Sequence, residues 1–254
     1  MAEPSDAPTR PAPTRRGLVQ LVASPIGNLG DITFRAAEAL RSADVVACED
    51  TRRSARLLDH LGIRARELLS LHEHNEHSRA AALAERAAGG ARIVYLSDAG
   101  TPGISDPGYR LVNEAVAAGV RVECLPGPCA VVTALAASGL PTDAFHFGGF
   151  LPVKQGRRAK VLAAALAREE TSVYYESPHR LAATLGQIRE MEPERELCVA
   201  RELTKIHETY HRGTALELSE EFAAKPPKGE ITLLLRGCGK SRVKQNAEKD
   251  RRRA

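Results

Sequence analysis

The chain has 254 residues, 43% hydrophobic and 27% charged, and a net charge of +4. That length gives one or two domains with a sizeable core, and the composition excludes a disordered or fibrous chain. No apolar run approaches the ~20 residues of a membrane-spanning helix, the polar, proline-rich start lacks the apolar stretch of a secretory signal, and five scattered cysteines without a CxxC pair read as reduced thiols of a cytoplasmic protein.

Residues 1–16 read as a disordered leader. From Gly17 the pattern becomes regular. Leu18–Ala23 is a short apolar run, and helical spacing through Phe34, Ala37 and Leu40 predicts a helix over Thr33–Arg41. A second run, Asp44–Cys48, precedes a helix ending at His60. Ala80–Ala88 is helical, Ile93–Leu96 is a strand, Leu111–Ala118 a helix, Val120–Leu125 a strand and Ala130–Ala137 a helix. Apolar runs alternating with helices predict βαβ units and a parallel sheet covered on both faces. Pro141-Thr142-Asp143 marks a seam. Beyond it come strands over Phe145–Phe150, Ser172–Tyr175, Leu197–Arg201, Glu208–His211 and Ile231–Arg236, with helices over Arg157–Arg168 and Leu181–Arg189. Fewer crossovers there predict a mixed sheet. The expected organisation is an α/β domain over 17–142, a second over 143–239, and a basic tail over 240–254.

The charge is unevenly placed. Residues 240–254 carry +5 and residues 1–16 carry +1, which leaves −2 for the body. A basic tail can hold nucleic acid by counterion release; the plainer reading is a solvated end.

In an open parallel sheet, ligands gather at the carboxyl ends of the strands. Four loops fall there: Ser24–Asp31, Glu49–Arg52, Ser97–Gly108 and Pro126–Cys129. Glycine allows close backbone approach to a ligand and proline fixes loop shape. Together the four outline a pocket lined largely by backbone. No G-x-G-x-x-G follows the first strand, which argues against an ordinary dinucleotide site. Gly237-Cys238-Gly239-Lys240-Ser241 ends like a phosphate loop, but Leu234 stands where its first glycine belongs. His72-Glu73-His74-Asn75-Glu76-His77 is the richest polar cluster. It lacks a matched ligand set, so it reads as lining a cleft or capping the next helix, with no metal expected. Arg201-Glu202-Leu203-Thr204-Lys205 reads either as a structural salt bridge or as Glu202 and Lys205 facing a cleft.

At these loops the sequence resembles a known family. Ser97-Asp98-Ala99-Gly100-Thr101-Pro102-Gly103-Ile104-Ser105-Asp106-Pro107-Gly108 is similar to the signature of the small-subunit ribosomal RNA methyltransferase I family, within the tetrapyrrole-methylase superfamily. Supporting blocks follow in the family's order across roughly 17–236: Pro25–Thr33, Glu49–Arg52, His72–Glu76, Leu125–Ala130, Tyr175–Arg180, Arg201–Lys205 and Lys228–Glu230. The resemblance implies two α/β domains with S-adenosylmethionine in the cleft between them, and a homodimer. It implies methylation of a cytidine ribose 2′-hydroxyl in the decoding region of 16S ribosomal RNA. Cofactor contacts are expected at Pro25, Asp98, Ala99, Gly100, Thr101, Pro102, Ile104, Thr133, Ala134, Tyr175, Leu203 and Gly229. Many members continue with a helical extension where this chain has its basic tail; if that extension grips RNA, either the tail substitutes for it in part or the ribosomal particle supplies the missing order.

Two other functions compete: a tetrapyrrole C-methyltransferase, and a non-catalytic RNA-binding module, the latter weakened by 4% aromatics and no Trp. For ribose methylation the candidate bases are Glu49, Asp50, Asp98, His72 and Glu202, with Lys205 beside Glu202, and sequence leaves the choice open. Arg52, His72 and Lys205 are candidates for holding RNA, the two cations through a phosphate.

Overall fold

The structure, a computed structural model, describes residues 17–239, so the expected leader and the basic tail lie outside the described residues. The chain forms two compact units. Among the described residues, the first comprises 17–24 together with Ile32–Gly127, and the second comprises Pro25–Asp31 and 128–239.

The first unit carries β1 (Leu18–Val22), α1 (Phe34–Ser42), β2 (Val45–Cys48), α2 (Thr51–His60), β3 (Leu68–Ser70), α3 (Glu76–Ala88), β4 (Arg92–Leu96), α4 (Tyr109–Ala117) and β5 (Arg121–Leu125). Its five strands are all parallel, in the order β3-β2-β4-β1-β5. The central strands β1, β2 and β4 are apolar along nearly their whole length because both faces are covered. Val22, Val46, Cys48, Val94 and Leu96 meet α1 and α2 on one face. Val19, Val45, Ala47, Ile93 and Tyr95 meet α3 and α4 on the other. This is the alternation of side chains that a strand requires.

The second unit holds α5 (Ala130–Ala137), β6 (Phe145–Phe150), α6 (Gln155–Leu166), β7 (Thr171–Glu176), α7 (Pro178–Met191), β8 (Glu196–Arg201), β9 (Thr209–Thr214), α8 (Ala215–Ala224) and β10 (Ile231–Leu235). The sheet order is β6-β7-β10-β8-β9. Only β6 and β7 run parallel, so the sheet is mixed as expected.

Three expectations need correction. The units divide at Gly127/Pro128, ahead of the expected seam, and residues 25–31 belong with the second unit. The reason is packing: Val131, Ala134 and Leu135 of α5 and Ile26 share a cluster with Val173, Cys198 and Leu234 of the second sheet. Phe34 begins α1, but it is 96% exposed while Ala37 and Leu40 are buried. Two elements were not expected. β3 is only three half-buried residues. α8 is the other, and Thr214 and Glu217 form a capping box at its start.

Candidate active site

β4 lies between β2 and β1. The connections leaving β1 and β2 run to α1 and α2 on one face, whereas the connection leaving β4 runs to α4 on the other. Loops diverging to opposite faces open a crevice at the carboxyl edge of the sheet. The loops there in the first unit are those at Ser24, Glu49–Asp50 and Ser97–Gly108.

The Ser97–Gly108 loop is fastened at both ends. Gly100 exchanges both backbone hydrogen bonds with Ser24, each 3.0 Å. Ser24 Oγ donates to the Ser97 carbonyl (2.7 Å), and Ser97 Oγ donates to the Gly100 carbonyl (2.6 Å). Gly100 has φ +80°, a conformation glycine adopts without a Cβ clash. At the far end the buried Glu76 carboxylate accepts from Gly108 N (2.9 Å) and Arg110 N (3.0 Å). Between these anchors Pro102 is buried, whereas Ala99 and Ile104 are exposed and Thr101 is intermediate.

Acidic groups concentrate at this edge. Asp98 Oδ1 accepts from Asp50 N at 3.0 Å, and Arg53 Nη1 lies 3.5 Å from Asp98 Oδ2. Partial burial, then the charge of Asp98, pushes the Glu49 carboxyl above the usual carboxylate range, while Arg53 and His72 pull the other way. Asp106 is pushed up to about 7 by burial and by the charges of Glu49 and Asp98. Three carboxyl groups therefore crowd negative charge at this edge, and among the described residues Arg53 is the cation paired with one of them, Asp98. Asp50 does different work: its Oδ1 accepts from Arg52 N (2.8 Å) as the N-cap of α2.

His72 is half-buried. Its backbone N–H donates to Asn75 Oδ1 (2.8 Å), and its Nε2 lies 3.1 Å from Asn75 Nδ2, while its Nδ1 is enclosed without a partner. Asn75 Nδ2 also reaches the Ser70 carbonyl, so the cluster shapes the entry to α3. Among the described residues no group of three or more His, Cys, Asp or Glu could hold a metal ion.

In the second unit, Glu202 and Lys205 are bound to each other. Glu202 Oε1 accepts from Lys205 Nζ (2.8 Å) and from Glu230 N (2.9 Å), and Lys205 Nζ also reaches Glu230 Oε2 (3.1 Å). The Lys205 hydrogen bond holds the Glu202 carboxyl below its usual range. Gly229 is required beside them: it has φ +89°, and a Cβ there would stand 2.2 Å from Glu202 Oε1. Gly27 is required likewise, because its Cβ would meet Lys205 Cγ at 2.4 Å. Pro25 therefore leads into a segment seated on the 203–205 turn. Leu203 and Ala134 are core residues of this unit, and Tyr210 Oη lies 3.5 Å from the Thr133 carbonyl. Tyr175 packs on Phe147 and Phe150, with ring centroids 5.1 and 5.2 Å away. The neighbouring Glu176 is a buried structural carboxylate, 2.6 Å from Arg180 and 2.7 Å from Thr184 Oγ1.

Sequence reasoning passed over Asp106, Arg53 and Glu76. Asp106 stands between Gly103 and Gly108 in a loop the sequence marks by its glycines and prolines, whereas nothing local to Glu76 signals that it accepts from Gly108 N and Arg110 N.

A doubly wound sheet with this glycine-rich, acidic edge, followed by a mixed-sheet unit, defines a methylase of the tetrapyrrole (corrin/porphyrin) class, whose family description matches residues 19–219. Solved structures share the fold. They include uroporphyrin-III-C-methyltransferase from Thermus thermophilus (TM-score 0.59, 23% identity, 87% of this chain and 94% of that one). Diphthine synthase is another (TM-score 0.68, 16% identity, 86% and 90%). More particularly, the chain belongs to the ribosomal RNA small subunit methyltransferase I family. It is 47% identical to the protein of that name from Mesorhizobium japonicum, over 99% of this chain and 84% of the relative. It is 46% identical to those from Vibrio cholerae (89% and 79%) and Escherichia coli O157:H7 (89% and 80%). Membership makes it an S-adenosylmethionine-dependent methyltransferase.

Proposed function

We propose that this methyltransferase acts on 16S ribosomal RNA, at a cytidine ribose 2′-hydroxyl in the decoding region of the small subunit, as a cytoplasmic homodimer. The observation that carries the reading is identity of 46–47% across most of the chain to proteins named for small-subunit RNA methylation.

The residues suit the donor. Sulfonium and ammonium groups are cationic, and Glu49, Asp98 and Asp106 form a mutually repelling acidic cluster that a cation would relieve. The loop beside them offers backbone and glycine, so an extended ligand can approach closely. We assign donor contacts to Asp98, Ala99, Gly100, Thr101, Pro102 and Ile104. Pro25, Thr133, Ala134, Tyr175, Leu203 and Gly229 keep the role that family resemblance gives them.

The donor supplies an electrophilic methyl on sulfur. The chain holds the ribose oxygen in line with that methyl and takes the hydroxyl proton. Glu49 is our choice for the proton. Its raised carboxyl is a better acceptor than Glu202, whose oxygen already serves Lys205 and Glu230, or than Asp50, which caps α2. Arg52 holds a neighbouring phosphate.

The test is incubation with radiolabelled methyl donor and either small ribosomal subunits or a tetrapyrrole precursor. Label in the RNA ribose is expected. Label in the macrocycle points to the tetrapyrrole enzyme, and no transfer to either overturns the assignment.

A further inference from the structure

Phe34 stands at the head of α1 with 96% of its surface exposed, although the same helix buries Ala36, Ala37, Ala39 and Leu40. One exposed apolar residue is ordinary. What surrounds this one is not. α2 places Arg52, Arg53 and Arg56 in its first two turns, all exposed. The positive end of a helix dipole disfavours cations in the first turn, so helix stability does not account for Arg52 and Arg53. Among the described residues Arg52 and Arg56 have no carboxylate partner, and Arg53 has only the 3.5 Å approach to Asp98. α1 adds exposed Arg35 and Arg41, against Glu38 and Asp59 on the two helices' open surfaces.

α1 and α2 pack into one apolar cluster on the same face of the first sheet. Each follows a strand of that sheet, so both heads lie at its carboxyl edge, where Glu49 and the Ser97–Gly108 loop also lie. The fold thus brings an unpartnered phenyl ring and a set of arginines to the edge that holds the acidic cluster.

We propose that this surface, Phe34 with Arg35, Arg52, Arg53 and Arg56, is where the RNA substrate docks. The guanidinium groups take phosphates on either side of the target nucleotide, and Phe34 stacks on an unpaired base. The proposal rests on the RNA reading above. Arginine is the suited cation, since its planar fork matches phosphate oxygens. An exposed aromatic among phosphate-binding groups is the pattern by which unpaired RNA is held. A second copy of the chain suits the surface poorly, because a two-fold axis would set the patch against itself and bring like charges together.

The experiment measures binding of purified small ribosomal subunits across a salt series, for the wild type, Phe34→Ala and the double variant Arg35→Gln/Arg56→Gln. Donor affinity, melting temperature and sedimentation are recorded alongside. Phe34→Ala is expected to weaken binding by roughly tenfold with little change in salt slope. The arginine pair is expected to weaken it and reduce the slope of log affinity against log salt by about one per lost phosphate contact. Donor affinity and melting temperature should not move, because every substituted side chain is exposed. Unchanged RNA affinity in both variants overturns the proposal, as does a wild type that does not bind subunits. A change of oligomeric state in Phe34→Ala also overturns it, by assigning the face to a second copy. Wild-type binding without methyl transfer would instead sink the functional reading and leave the docking surface standing.

Discussion

Glu49, Asp106 and Glu202 are three acids in three different electrostatic settings, and their substitutions should part company. Glu49→Gln removes the proposed proton acceptor, and single-turnover methyl transfer should fall by ~10²–10⁴ while donor affinity changes little. A rate within a few-fold of wild type would shift the role to another group. Glu202→Gln should act through structure. Its carboxylate is held below its usual range by Lys205 and also accepts from Glu230 N, so the variant should melt earlier with only a modest loss of rate. Asp106 gives a pH signature. Its carboxyl stands at about 7 when folded, against an ordinary 3.8. The folded state therefore holds a proton that the unfolded chain has released, and stability falls as pH rises from about 4 to about 7 and is flat above. Asp106→Asn should flatten the melting-temperature profile across that window. The same ionisation favours a cationic ligand, so wild-type donor affinity should strengthen between pH 6 and 7.5, and calorimetry of the Asn variant should show that trend reduced.

At the scale of elements, the Ser97–Gly108 loop is a span pinned at two points, and each pin can be pulled separately. Gly100→Val puts a β-branched residue at φ +80°, in a position whose N–H and carbonyl both pair with Ser24. The left-handed conformation should cost about 1–2 kcal/mol. We expect a folded protein with donor binding lost; normal calorimetric binding would remove Gly100 from the donor site. Glu76→Ala leaves Gly108 N and Arg110 N without their acceptor, a loss of about 1–3 kcal/mol in chemical denaturation, whereas Glu76→Gln keeps an acceptor oxygen and should retain most of it. The positions of these loops were legible because apolar runs such as Ile93–Leu96 end abruptly in Gly and Pro. What fastens them was not: Glu76 reaches Gly108, and Glu202 reaches Glu230, across separations that no local pattern encodes. α5 shows the same limit. Its apolar sequence announces burial but is silent on which sheet it covers, and so the Pro-containing seam in the sequence falls after the helix whereas the structural division falls before it. Phe34 misled in the other direction, since its helical spacing says nothing about whether a core lies beneath that turn.

For the whole molecule the deciding quantity is where charge sits. The body from 17 to 239 carries −2, yet binding to RNA requires cations facing phosphate. Two groups of cations bear on this: the arginines heading α1 and α2, and the residues 240–254 with +5. They should be separable. The two make different predictions: residues 240–254 are assigned counterion release alone, and the arginines beside the acidic edge both counterion release and positioning. Deleting 240–254 should therefore weaken association with small subunits and flatten its salt dependence. Donor affinity, and the single-turnover rate at saturating subunits, should stay at wild-type values. The arginine variants should flatten the salt dependence too, but they should also lower that saturated rate, because the ribose would no longer be held in line with the methyl. A tail deletion with the wild-type salt slope would mark 240–254 as a solvated end and leave the RNA grip to the folded body. A deletion that lowers the saturated rate as much as Arg35→Gln/Arg56→Gln would show instead that the tail helps position the nucleotide.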